Sequence, residues 1–99
     1  MLYALKIRDL SVGSAKVKVE GKIVKKGEPK EVRLRDGTLA NVADAILEDE
    51  SGSIVLNLWN EQIEMVSVGD KIRVINGYVG SFRNEKRLSL GRYGKIIKV

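Results

Sequence analysis

Ser53-Ile54-Val55-Leu56-Asn57-Leu58-Trp59 reads as a β-strand with two unlike faces. In extended backbone, successive side chains point to opposite sides. Ile54, Leu56 and Leu58 therefore make one unbroken apolar face, while Ser53, Val55, Asn57 and Trp59 share the other. Burying Ser and Asn without partners is costly, so the aliphatic face is the one that packs inward. The single tryptophan of the chain is left on a mixed, accessible face. Two readings of Trp59 follow: a platform for a flat ligand, or a ring covered by a loop or closing the end of a core.

Upstream, Asp49-Glu50-Ser51-Gly52 turns into this strand from one over residues 39–48, whose Ala43, Ala45 and Leu47 point inward while Asp44 and Ile46 point outward. The pair is an antiparallel hairpin. The acidic run Glu48, Asp49, Glu50 is read as a solvated turn in preference to a site for a hard cation. Earlier still, Val17, Val19, Gly21 and Ile23 alternate with Lys16, Lys18, Glu20 and Lys22, a period of two. A glycine weakens a strand unless the chain must bend or another backbone must come close. Gly21 is expected to let one long strand curl and join two neighbours. Residues 25–38 hold the sole proline and the turn signal Asp36-Gly37. They are expected to form a long loop or protruding hairpin bearing Lys25, Lys26, Lys30, Arg33 and Arg35.

Downstream, Asn60 is expected to cap a short helix of about two turns, with Glu61 in its first turn and Ile63 and Val66 as its apolar stripe. Gly69-Asp70 ends it. Ile72 and Val74 point inward in the next strand. Strict alternation would bury Tyr78, whereas a bulge at Asn76-Gly77 would reverse the faces and expose it; the pattern alone leaves both open. Phe82 follows Gly80-Ser81 in a loop where burial is hard to arrange, and stands beside Arg83, Lys86 and Arg87. The last strand, over residues 86–90, points Leu88 and Leu90 inward and Arg87 and Ser89 outward. Gly91, Tyr93 and Gly94 are expected to interrupt it before Ile96-Ile97.

Ninety-nine residues suffice for one modest core, so a single domain over residues 1–99 is expected. Eighteen basic against 13 acidic side chains give a formal charge of +5, an excess that points only weakly to an anionic partner. Its distribution says more: the basic residues crowd residues 16–35 and 83–98, and the acidic ones residues 44–50 and 61–64. Neither Cys nor His is present, which removes disulfides, thiolate metal sites and the commonest proton shuttles and nucleophiles. No phosphate-cradling Gly-Lys-Ser/Thr loop occurs. An enzyme is therefore not expected, nor a cofactor or metal. No apolar run is long enough for a membrane helix, and the first residues do not read as a signal peptide, so a cytoplasmic setting is expected.

Five strands, a short helix between the third and fourth, a long basic first loop and an aromatic-basic fourth loop make an all-β pattern. It is that of a five-stranded Greek-key OB-fold barrel, a fold that binds oligonucleotides across its second and third strands. Aromatics set among cations on a sheet surface suit stacking of bases and tracking of phosphates.

Several motifs add a family likeness. Ile7-Arg8-Asp9-Leu10, Asp49-Glu50-Ser51-Gly52, Leu56-Asn57-Leu58-Trp59, Val68-Gly69-Asp70 and Asn76-Gly77-Tyr78 on through Phe82 together resemble the single-stranded DNA-binding domains of archaeal and eukaryotic replication protein A and of archaeal single-OB binding proteins. The resemblance implies that an aromatic ending the third strand and two around the fourth strand stack on bases, which are Trp59, Tyr78 and Phe82 here. It also implies a role in replication, recombination or repair, with partners among other proteins of those processes or further OB domains of a longer parent chain. The flexible tail and the zinc module that some family members carry have no counterpart in this sequence. The expected function is sequence-tolerant binding of single-stranded DNA, with RNA as an alternative strand. Lys25, Lys30, Arg33, Arg35, Arg83, Lys86 and Arg87 would neutralise phosphates, and Asn57 would lie on the same face. Two rivals are a protein-interaction OB scaffold and an RNA-directed OB domain.

Overall fold

Gly21 is where the barrel closes. The computed structural model describes residues 5–99, with Arg92 followed along its backbone alone, so the reading of residues 1–4 lies outside it. Six strands run in the order β1 (Val17–Lys26), β2 (Lys30–Arg33), β3 (Leu39–Asp49), β4 (Gly52–Trp59), β5 (Lys71–Phe82) and β6 (Glu85–Lys98), with the helix α1 (Gln62–Met65) between β4 and β5. The first part of β1 pairs with β5 and its last part, from Lys22 to Lys26, with β3. A methyl group on Gly21 would come 2.7 Å from the carbonyl oxygen of Glu48, too close for any side chain at the corner where β1 changes partners. The ring β1-β5-β6-β4-β3 closes through β1–β3, giving the five-stranded OB barrel, and β2 is an extra arm hydrogen-bonded to β3. Strands β4 and β6 run parallel, Val55 beside Arg87 and Leu56 beside Leu88.

The core follows the alternation. Val17, Val19 and Ile23 of β1, Ala43, Ala45 and Leu47 of β3, Ile54, Leu56 and Leu58 of β4, and Leu88 and Leu90 of β6 are all buried. Each fully buried Val, Leu or Ile contributes roughly 1.5–3 kcal/mol relative to exposure. Ile63 and Val66 plug one end from around α1, and Ile7 and Leu10 close another part of the wall from a 3-10 turn at Ile7–Asp9.

That turn is latched by the acidic corner between β3 and β4, which is more than a solvated turn. The Ile7 amide donates to Asp49 Oδ2 at 2.9 Å, and the Arg8 amide to Ser51 Oγ at 3.1 Å. Asp49 Oδ1 accepts from the amides of Ser51 (2.7 Å) and Gly52 (3.2 Å) and from the Ser51 hydroxyl (2.5 Å). Burial pushes the Asp49 carboxyl up, but the hydrogen bonds from Ser51, Ile7 and Gly52 outweigh it and hold the group below its ordinary value.

Three local expectations are refined or corrected. Of the two forms expected for residues 25–38 the protruding hairpin is the one found, though shorter: β1 continues through Lys26, and β2 makes the hairpin with β3, whose turn is fastened by Asp36, which accepts from the Thr38 amide and hydroxyl. The helix is a single turn that Asn60 does not cap. Asn60 has φ +52° and instead ties β4 to β3, its amide donating to the Asn41 carbonyl (2.9 Å) and its Oδ1 accepting from the Asn41 amide (3.0 Å). Finally, β6 is not broken at Gly91. It runs on as one strand to Lys98; the expected interruption is confined to the pairing, which lapses over residues 91–94 opposite the single Asn76 of β5 and resumes at Lys95. No helix among the described residues is long and apolar enough to cross a membrane.

Candidate nucleic-acid interface

The irregularity at Asn76 decides which aromatics face outward. Asn76 adopts φ +59°, and the register shifts between Ile75 and Gly77. Before the bulge Ile72 and Val74 point inward; after it Gly77 and Val79 do. Tyr78, Gly80 and Phe82 are thereby turned out together. Tyr78 is 47% exposed and Phe82 54%. Gly80, between them, has nothing within 4 Å of where a side chain would start, so the space above it is open.

The end of this row, from Gly80 to Phe82, forms one wall of a furrow of about 480 Å³ whose other lining residues are Arg87, Ser89, Asn57, Asp44, Val42 and Lys30. Its floor is a hydrogen-bonded network. Arg87 donates to Asp44 Oδ2 (2.9 Å), Asn57 Oδ1 (3.2 Å) and Glu85 Oε1 (3.3 Å), and the Asn57 amide donates to Ser89 Oγ (3.2 Å). Ser89 points outward as expected yet is only 7% exposed, since the network covers it. The guanidinium carbons of Arg83 and Arg87 each stand 5.2 Å from the centroid of the Phe82 ring. Such cation–π contacts contribute about 0.5–1 kcal/mol at exposed sites.

Of the residues singled out from sequence, the furrow gathers Lys30, Asn57, Phe82 and Arg87. Trp59 is half-buried at the end of β4, in register with the furrow residue Val42, and does not itself line the cavity. Arg33 and Arg35 are exposed on the hairpin arm and its turn; Arg33 is on the face of β2 opposite Lys30. Lys25 is exposed on β1 rather than in a loop, paired with Ile46. Two cations are already committed to the protein itself. Arg87 is 22% exposed and bridges Asp44 and Glu85. Lys86 points away from the furrow: its ammonium donates to the Leu10 carbonyl at 2.7 Å and lines a separate cavity with Ile7, Arg8 and Ser51. Adjacent positions on a strand face opposite sides, so Lys86 and Arg87 could not both have served one surface.

Sequence reading missed the Asp44–Arg87–Asn57 floor and Tyr93, which is 72% exposed. Parity put Asp44, Asn57 and Arg87 on outward faces, but their meeting depends on β6 lying parallel beside β4, which no local pattern announces.

Residues 7–98 match the family model described as single-stranded DNA binding protein Ssb-like, OB fold. Over 97% of its length the chain is 33% identical to Replication factor A of Methanothermobacter thermautotrophicus, of which it covers 13%. It is 23% identical, over 92% of its length, to the Single-stranded DNA binding protein Ssb of Saccharolobus solfataricus, of which it covers 61%. The chain thus spans less than two thirds of either of these curated relatives. Among solved structures it is similar to the second OB-fold domain of replication protein A from Methanococcus maripaludis, with 28% identity and a TM-score of 0.80, the match covering 96% of this chain and 93% of that one.

Proposed function

We propose, from the premise that this chain belongs to the Ssb-like OB-fold family of single-stranded DNA-binding proteins, that its furrow holds one DNA strand with little regard to sequence. The observation that carries the reading is the outward row Tyr78, Gly80, Phe82: two exposed aromatic rings on one strand face with open space between them, Phe82 and Gly80 lining the furrow. Bases lie against Phe82 and Tyr78, with Trp59 at the far end of β4. Every base has a π-face, so stacking tolerates any sequence and contributes about 1–3 kcal/mol per base. Lys30 in the furrow, Arg83 beside Phe82, Arg33 and Arg35 on the arm, and Lys25 on β1 neutralise phosphates. Each such surface charge contributes about 0–1 kcal/mol, so stacking dominates affinity. Arg87 is a positioning residue: it neutralises Asp44, which would otherwise repel the strand, and backs the Phe82 ring.

A domain of this kind serves wherever strands are parted, in replication, recombination or repair, together with other proteins of those processes or further OB domains of a longer parent chain. The test is fluorescence anisotropy with labelled oligothymidylate, a duplex containing it and the matching RNA. The single DNA strand is expected to bind best and the duplex worst, because paired bases cannot reach the rings. Equal or tighter duplex binding would overturn the reading. Tighter RNA binding would move it to the RNA alternative, and no binding by any of the three would favour a protein-binding scaffold.

A further inference from the structure

The bulge that turns Tyr78 outward also produces a second aromatic wall. Residues 91–94 loop out against Asn76, and Tyr93 stands on that excursion. The Asn76 side-chain amide donates to the Tyr93 carbonyl (3.4 Å), joining the two halves of the irregularity. Tyr78 and Tyr93 line one cleft of about 350 Å³, together with Lys16, Ala15 and Gly91. Gly91 forms its floor: a side-chain carbon there would lie 3.6 and 3.7 Å from the Tyr78 ring, ordinary contact distance, so the ring rests along this glycine's open side. Gly94 cannot be replaced without disturbing the excursion, since a side-chain carbon would meet Leu90 at 2.8 and 2.9 Å. Lys16 is exposed and held at φ +53°, just ahead of β1. The cleft lies next to the furrow, since Tyr78, which lines the cleft, is in register with Ser89, which lines the furrow.

We propose that the cleft between Tyr78 and Tyr93 is an additional subsite for one nucleobase, with Lys16 meeting the phosphate of that nucleotide, so that the strand runs past Tyr78 instead of ending on it. The proposal rests on the reading of the furrow as a single-strand site and adds the residues that set its length. A nucleobase fits the chemistry: two tyrosine rings supply flat apolar contact, and one cation supplies the counter-charge. The cross-strand pair Tyr78–Ser89 sets the cleft beside the furrow, within reach of the same strand.

The test is an affinity ladder of oligothymidylates from three to eight nucleotides, measured for the wild type and for Tyr93→Ala, Tyr93→Phe and Lys16→Ala. Tyr93 and Lys16 are exposed, so all three variants are expected to fold, which thermal melts check. For the longer oligomers Tyr93→Ala should lose roughly tenfold in affinity, within the range for one lost stack. It should lose nothing for the shortest oligomer that binds, and its gain with length should stop earlier. Tyr93→Phe keeps the ring and should retain most of the affinity that Tyr93→Ala loses. Lys16→Ala should lose a few-fold, with a shallower salt dependence. Equal affinity of Tyr93→Ala at every length would overturn the subsite while leaving the furrow standing, and so would an equal loss at every length. A wild type that binds no oligomer would sink both.

Discussion

The furrow and the latch at Asp49 use similar polar residues to opposite ends. At the latch, the Asp49 carboxylate takes amides from Ile7, Ser51 and Gly52 and a hydroxyl from Ser51, so its bonding capacity is filled from within the chain. In the furrow, the charges on the floor are likewise paired, Arg87 to Asp44 and Glu85, but the aromatic row above them is open. On the proposed reading, binding falls to the exposed rings and the cations along the rim, and not to charge as such. Removing a rim group should change affinity and spare stability. Removing a latch group should do the reverse.

The largest effect is expected from Phe82→Ala. It should weaken binding to a single DNA strand by about tenfold to a hundredfold, the equivalent of about 1–3 kcal/mol, with an unchanged slope of affinity against salt and a melting temperature lowered only by the loss of its two cation–π contacts, about 0.5–1 kcal/mol each. A variant that lost stability without losing affinity would erase the contrast with the latch.

Next comes Asp49→Asn, which should leave affinity intact and cost about 1–3 kcal/mol of stability, as expected when hydrogen bonds to a charged group are lost. For a domain of this size that lowers the melting temperature by several degrees or more. The sign with pH follows from the depressed folded value. Asp49 supports stability above its unfolded value of about 3.8, and that support is lost as pH falls through the lower folded value. Asp70 titrates in the same direction, held down first by the Ser67 amide and also by Lys98, so some acid sensitivity should survive the substitution. Melting curves of both proteins between pH 2 and 7, in the acid range where carboxylates titrate, should therefore converge at the acid end. Parallel curves would deny Asp49 its part.

The smallest effects belong to the arm. Arg33→Ala and Arg35→Ala should each cost at most about 1 kcal/mol at low salt. If each side chain meets one phosphate, the logarithmic salt slope should also fall by about 0.7. A salt slope that did not change would take that arginine off the path of the strand.

How far the chain could be read in advance follows the same division. Local alternation was enough for the inward residues of β1, β3 and β4, and the glycine at position 21 was enough for the change of partner that closes the barrel. Tyr78 hung on one bulge: the Asn-Gly pair marked the spot, but only the register of β5 against β6 decided the face. The likeness of Ile7-Arg8-Asp9-Leu10 and Asp49-Glu50-Ser51-Gly52 to family motifs has a physical basis that neither segment reveals alone, because each supplies half of one set of hydrogen bonds. Lys86 and Arg87 part company for a related reason. A run of cations looks like a single patch until parity sends one side chain to Leu10 and the other to Asp44. What stayed hidden was contact between distant strands, above all the β4–β6 pairing under the furrow.

One Phe and one Trp in the whole chain make the decisive experiment simple, since their ring protons are identified by residue type alone. Proton NMR during titration with oligothymidylate reports directly whether bases lie against those rings. The signals of Phe82, and to a lesser degree of the Trp59 indole, should move upfield and saturate with the strand, while the amides of Ile7, Ser51 and Gly52 stay in place. Saturable binding with unmoved aromatic signals and shifting latch amides would contradict the account.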